Sequence, residues 1–335
     1  MTPRRVRAAT AAIAVAALLG ACGPSASDRA SEPAPSRPSS APTAPTSSAP
    51  TSAPPTTAPT SSAPTPAPAP TPAAAQLPRG GRSLLPEYRI VAHYGTIGGP
   101  ALGVLGRGSP DEAAQALEAA AAAYGPYGRP VQPAMELIAT VAQASPGRDG
   151  RYSRPIPAED VARYLDAAHR MNQLLILDFQ PGNGDFLSQI VQYEQFLLDP
   201  SVGVAVDPEW RVQPGQVPGT VIGSAPAAEI NAAAAYVSAL TVANDLPEKP
   251  FIIHQFRRSM LPDRELITPQ PGLAMIIHAD GEGPVAAKLA SYSALGIPET
   301  GFFAGFKVFL ARDPEVMAPD AVMALDPVPD LISYQ

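Results

Sequence analysis

Three pairs of polar residues stand two apart where apolar runs end. Asp178 and Gln180 follow QLLIL, Asp207 and Glu209 follow VGVAV, and His278 and Asp280 follow LAMII. Side chains two apart on a strand share a face, so each pair can deliver two polar groups to one place. Other apolar runs end alike: RIVAHYG (89–95) carries His93-Tyr94, PFIIHQF (250–256) carries His254-Gln255, and GFFAGFKVF (301–309) carries Lys307. An unpartnered buried carboxylate is costly, so a set of acids gathered at strand ends is hard to explain as packing.

The chemistry that suits such a set is glycoside hydrolysis. It needs one carboxyl that keeps a proton for the leaving oxygen and a second that acts as base or nucleophile. Glu209 is the expected acid, with Asp207, Asp178 or Asp280 as its partner. His93, Tyr94, Gln180, Trp210, His254, Gln255, His278 and Lys307 are the expected substrate-binding residues. Trp210, the only Trp of the chain, and Tyr94 and Tyr152 offer faces on which a sugar can stack. A second reading is a metal-dependent hydrolase, since His93, His254, His278, Asp280 and Glu209 are zinc-ligand types. Strand one has no His-x-His pair and no HExxH occurs, so no metal and no cofactor are expected. A third reading is a barrel that holds a carbohydrate or cell-wall polymer without cleaving it.

The elements that must position these residues alternate. Eight apolar runs read as strands: 89–95, 134–141, 173–179, 202–208, 250–256, 273–279, 301–309 and 321–326. Most are continuously apolar, as strands covered on both faces are. Helical patterns lie between them at 109–125, 157–171, 185–198, 224–245 and 283–296. The first opens with Ser109 as N-cap, Pro110 at the first helical position and two acids after it. Strand and helix in alternation over about 250 residues predict α/β architecture, a single (β/α)₈ barrel with its site at the C-terminal strand ends. The glycines at 95, 98 and 99 fit no dinucleotide fingerprint. Loops 142–157 and 211–223 fall on the site side and can shape a cleft. Glu136, inside an apolar run, suits a structural and a site role equally, whereas His169 reads as a surface or packing residue of its helix.

Net charge is −7 and no Lys/Arg run exceeds two residues, which argues against nucleic acid as a partner. At the N-terminus Arg4, Arg5 and Arg7 precede a short apolar stretch, 8–21, that ends at Cys22, the only cysteine. Fourteen such residues are too few for a membrane span and suit a signal peptide. Residues 23–78 contain 16 Pro among Ser, Thr and Ala, with no aromatic before Tyr88. That composition cannot bury enough apolar surface to offset ordering entropy. The expected organisation is a signal peptide (1–21), a lipidated Cys and disordered linker (22–82), and the barrel (83–335).

LGAC (19–22) resembles the lipobox of bacterial lipoproteins, in which Cys22 would carry a diacylglyceryl group after cleavage before it. That implies anchoring to the outer face of the cell membrane, through the lipid only. VGVAVDPEW (202–210) is similar to the fourth strand of family-18 chitinases, which carries DxxDxDxE. Glu209 matches the acid and Asp207 the last Asp, while Val202 and Ala205 replace the other two. With those two absent, the resemblance does not carry the substrate-assisted mechanism. Strand seven offers Lys307 where many related barrels place a nucleophilic Glu. LDFQPG, DPEW, HQF and the terminal SYQ together look like a group of actinobacterial lipoproteins with a glycosidase-like TIM barrel, which implies fold and location.

Overall fold

The structure, a computed structural model, describes residues 74–296 and 301–335. Cys22, the N-terminal apolar stretch and most of the Pro-rich segment lie outside them.

The strands are β1 (Arg89–Gly95), β2 (Val131–Ala142), β3 (Ser153–Pro155), β4 (Leu174–Phe179), β5 (Val202–Val206), β6 (Lys249–His254), β7 (Leu273–Ala279), β8 (Phe303–Val308) and β9 (Leu331–Tyr334). All but β3 pair in parallel, in the order β1-β2-β4-β5-β6-β7-β8-β9, and β9 returns to β1. The ring is therefore a closed eight-stranded parallel barrel, a TIM barrel. β3 is a short antiparallel addition to the end of β2.

The helices are α1 (Pro110–Ala122), α2 (Ala158–Met171), α3 (Phe186–Ile190), α4 (Glu194–Leu197), α5 (Ala227–Ala243), α6 (Val285–Leu295) and α7 (Pro319–Met323). Ser109 caps α1 in a full capping box with Glu112, worth about 1 kcal/mol. The helix expected at 185–198 is interrupted by a 3₁₀ turn at Val191–Tyr193. Between β6 and β7 only two 3₁₀ turns form.

One strand differs from expectation. Residues 321–326 do not form the last strand; they fall in and after α7, with Pro319 in its first turn. Val322 and Leu325 are buried and Ala321, Ala324 and Asp326 are exposed, a spacing of three that suits a helical turn. The eighth barrel strand is instead the four-residue LISY of β9, which closes the ring between β8 and β1.

Alternation along each strand sorts the interior. Outward residues such as Val91, Leu177, Val204, Ile253 and Ile277 pack under the helices in one large cluster. Inward residues Ile90, Ala92, Ala134, Leu174, Ile176, Ala205, Ile252, Ala274, Ile276 and Leu331 form a second cluster. Leu77, Leu84 and Leu85 join that second cluster. Glu248, next to the start of β6, accepts the backbone N–H groups of Leu84 and Leu85, so this segment stops the N-terminal end of the barrel. The packed chain thus starts before Ser83: Leu77 is buried, and Arg79 pairs with Glu118 at 2.7 Å. Among the described residues no helix is long and apolar enough to cross a membrane.

Candidate active site

The inward alternation continues past the apolar layer and changes character toward the C-terminal strand ends. Tyr94 (β1), Glu136 (β2), Asp178 (β4), Asp207 (after β5), His254 (β6), His278 and Asp280 (β7 and just after it), Lys307 (β8) and Ser333 (β9) are all buried. Each follows, two residues on or at a further even step, an inward apolar residue or glycine of its own strand. Every strand of the barrel thus contributes to one polar layer at the mouth.

His254 sits at its centre. Its Nδ1 lies 2.9 Å from Asp280 Oδ2 and its Nε2 lies 2.9 Å from Glu136 Oε1, with Asp178 Oδ1 at 3.9 Å. Each ring nitrogen faces a carboxylate oxygen, an arrangement that favours a proton on both and an imidazolium ring. Burial and Lys307 oppose that charge, but hydrogen bonds to Asp280 and Glu136 outweigh them and hold the pKa well above the usual histidine value. Asp280 responds in the opposite sense. Burial would raise it, yet the bond and charge of His254, with Lys307, bring it below the usual carboxylate value.

The other acids are held nearer their neutral form. Burial pushes Asp178 up to about 6, with Glu136 adding, and His254, Lys307 and the Tyr94 hydroxyl limiting the rise. Tyr94 Oη donates to Asp178 Oδ2 at 2.9 Å and receives Gln180 Nε2 at 3.1 Å. Burial also raises Asp207 well above its usual value, against His254, with Asp178, Asp280 and Glu209 adding. Asp207 Oδ1 accepts the Glu209 N–H at 3.0 Å and caps the 3₁₀ turn Pro208–Trp210. That turn follows from the sequence: Asp at the cap and Pro at the first position. It aims Glu209 at the rim. The Glu209 carboxyl has no hydrogen-bond partner among the described residues, and burial, reinforced by Asp280, raises it to about 7.

Lys307 Nζ lies 3.7 Å from the centre of the Tyr94 ring and 3.9 Å from Asp280 Oδ2. His278 Nε2 bonds Ser333 Oγ at 2.7 Å; burial first, then His254 and Lys307, keep it neutral. Its Nδ1 lies against Gly305, where an added Cβ would come within 2.4 Å. Glu136 Oε2, Asp178 Oδ1, Asp280 Oδ1 and His278 Nδ1 are buried without a hydrogen-bond partner.

Three expected binding residues stand elsewhere or do other work. His93 faces outward, because Tyr94 takes the inward position beside it; its ring packs edge-on against Tyr334 of the outer layer. Burial there, with Arg107, lowers His93 to about 4. Gln255 binds Arg264 and the Arg257 carbonyl, and so braces the loop after β6. Trp210 is half-buried in the turn after Glu209, near Gly219. His169 is on the surface of α2 and pairs with Asp199 at 3.0 Å. Tyr152 is partly buried in the 142–157 loop, with φ of 58°.

One residue of the layer escaped the sequence reading, and another was left between a structural and a site role. Glu136 left a trace as a charge within an apolar run. Ser333 left none, because its strand was placed ten residues too early.

Asp207, His254 and Asp280 bring ligand atoms within 4.8 Å of one another, and their types suit a metal ion. In this arrangement they do not fit one: a ligating histidine needs a free lone pair, and both His254 nitrogens are taken by carboxylates.

No protein-family model, no curated protein and no solved structure matches this chain. The fold and the site define its class: a TIM barrel whose mouth holds a buried aspartate–histidine–aspartate cluster.

Proposed function

We propose that the barrel hydrolyses a glycosidic bond, with Glu209 as general acid and Asp280 as its ionised partner. One observation carries this reading. Two carboxyls of the same mouth are driven apart in proton affinity, Glu209 up to about 7 and Asp280 below its ordinary range. Such a split is what separates an acid from a base or nucleophile. Glu209 would give its proton to the leaving oxygen as the glycosidic C–O bond breaks. Asp280, kept charged by His254 and Lys307, would take the anomeric carbon or a proton of the attacking water. Over the full cycle water supplies OH to the anomeric carbon and H to the leaving group, and both carboxyls return to their starting states. Asp207 fixes Glu209 through its N–H, and Tyr94, Asp178 and Gln180 line the next part of the mouth.

The N-terminal pattern supports a place for this reaction: outside the cell membrane, tethered through lipidated Cys22 and a Pro-rich spacer, with cell-wall carbohydrate as the partner. The test is a hydrolysis screen over cell-wall and storage glycans with wild type and Glu209→Gln. Turnover that falls by about 10²–10⁴-fold in the variant is expected. Binding of a glycan without turnover would leave a carbohydrate-binding barrel and overturn the enzymatic reading.

A further inference from the structure

We propose that Gln180 is a positioning residue: held by the ribbon of β2 and β3, it fixes the direction of the Tyr94 hydroxyl and so makes Asp178 an acceptor within the polar layer. The relay stands whether the mouth cleaves a glycan or only holds one.

The ribbon grips Gln180 from both of its strands. Ala142 and Ser153 face each other across β2 and β3. The Ala142 N–H donates to Gln180 Oε1 at 3.0 Å, and Ser153 Oγ donates to the Gln180 carbonyl at 2.7 Å. The Gln180 N–H in turn donates to Thr140 Oγ1 of β2 at 3.0 Å. A backbone N–H can only donate, so the side-chain oxygen of Gln180 faces Ala142 and its NH₂ group is left for Tyr94. The short strand β3, three residues long, thereby gains a task at the site.

Direction then passes inward. Gln180 Nε2 donates to Tyr94 Oη at 3.1 Å. An amide NH₂ cannot accept, so the single Tyr94 proton must go elsewhere. Among the described residues its acceptor is Asp178 Oδ2, at 2.9 Å. A proton on Asp178 is thereby kept off Oδ2. The other oxygen, Oδ1, is buried without a partner and lies 3.9 Å from His254 Nε2, a poor place for a proton. The relay from Ala142 through Gln180 and Tyr94 favours the Asp178 carboxylate, with His254 and Lys307 and against burial and Glu136. Asp207, whose own proton affinity Asp178 raises, is a further titratable neighbour.

The experiment is a pH titration of Asp178 in the full chain, read by NMR from its carboxyl carbon and assigned with Asp178→Asn. The wild-type midpoint is expected at about 6. Tyr94→Phe removes the donor and should raise it by about one pH unit or more. Gln180→Glu keeps an oxygen for the Ala142 N–H but offers the Tyr94 proton a second acceptor, so the midpoint should rise there too. The added charge also raises it, so Gln180→Glu is repeated on top of Tyr94→Phe, where the rise should be smaller by ~0.5 pH unit or more. Gln180→Met, which adds no charge, should raise the midpoint in the wild type and leave it unmoved on top of Tyr94→Phe. Circular dichroism checks that each variant is folded. Equal rises in the two backgrounds overturn the relay, as does a midpoint that Tyr94→Phe leaves in place. No substrate is needed, so failure of the relay leaves the hydrolase reading standing, and a barrel without glycan turnover leaves the relay to be decided by this titration.

Discussion

His254 Nδ1 lies 2.9 Å from Asp280 Oδ2, and this contact favours the charged form of both groups. It helps to keep the imidazole protonated inside the barrel and the aspartate ionised beside Glu209. With Glu136 on the other ring nitrogen, the contact also joins β2, β6 and the end of β7 across the mouth.

Removing the imidazolium should therefore destabilise the barrel. His254→Gln leaves Glu136 and Asp280 buried without their shared cation, and a loss of about 3–5 kcal/mol is expected in urea unfolding near neutral pH. Because the folded pKa of His254 lies above its unfolded value, its contribution is complete below about pH 6.5 and fades as pH rises through the folded value. The wild type should thus weaken on the alkaline side, and the variant should lack that slope. A variant within about 0.5 kcal/mol of wild type would contradict the clamp.

Gly305 leaves room for His278. In Gly305→Ala the new methyl meets His278 Nδ1, so the ring or the strand must shift, at a cost of about 1–3 kcal/mol. A thermal melt should show a fall of several degrees, and an unchanged midpoint would mean that the close approach carries no constraint.

Lys307 restrains the proton affinity of Glu209, against burial and Asp280. If Glu209 is the acid, activity on a glycan falls as pH rises through about 7, and it falls on the acid side as Asp280 takes a proton. Lys307→Met should move the alkaline limb to higher pH, read from the profile of kcat/KM. A limb that stays in place, or moves down, would contradict the assignment.

Cys22→Ala addresses the anchor. Fractionation of expressing cells should find the wild type with membranes and released by detergent, and the variant in the soluble fraction. Equal membrane association of the two would remove the lipidation proposal.

The sequence carried much of this site because polar residues two apart at the ends of apolar runs obey the strand period. Asp178, Asp207, His254, His278, Asp280 and Lys307 could be placed at the mouth on that rule. It fails where two neighbours are both polar. His93 and Tyr94 were equally good candidates, and only the barrel decides which faces in. Glu136 depends on closure: its partner His254 is 118 residues away, and no local pattern links them. The last strand was misplaced because AVMALD is as apolar as a strand, whereas LISY is only four residues long and is defined by the pairing that completes the ring.

The central claim, that Glu209 delivers the proton to the leaving group, has one direct measurement. Wild type and Glu209→Gln are compared on a glycan and on an aryl glycoside of the same sugar whose leaving group needs no proton. A loss of about 10²–10⁴-fold on the glycan, with the bond cleavage of the aryl glycoside largely retained, is the predicted result. An equal loss on both substrates, or no loss on either, would contradict it.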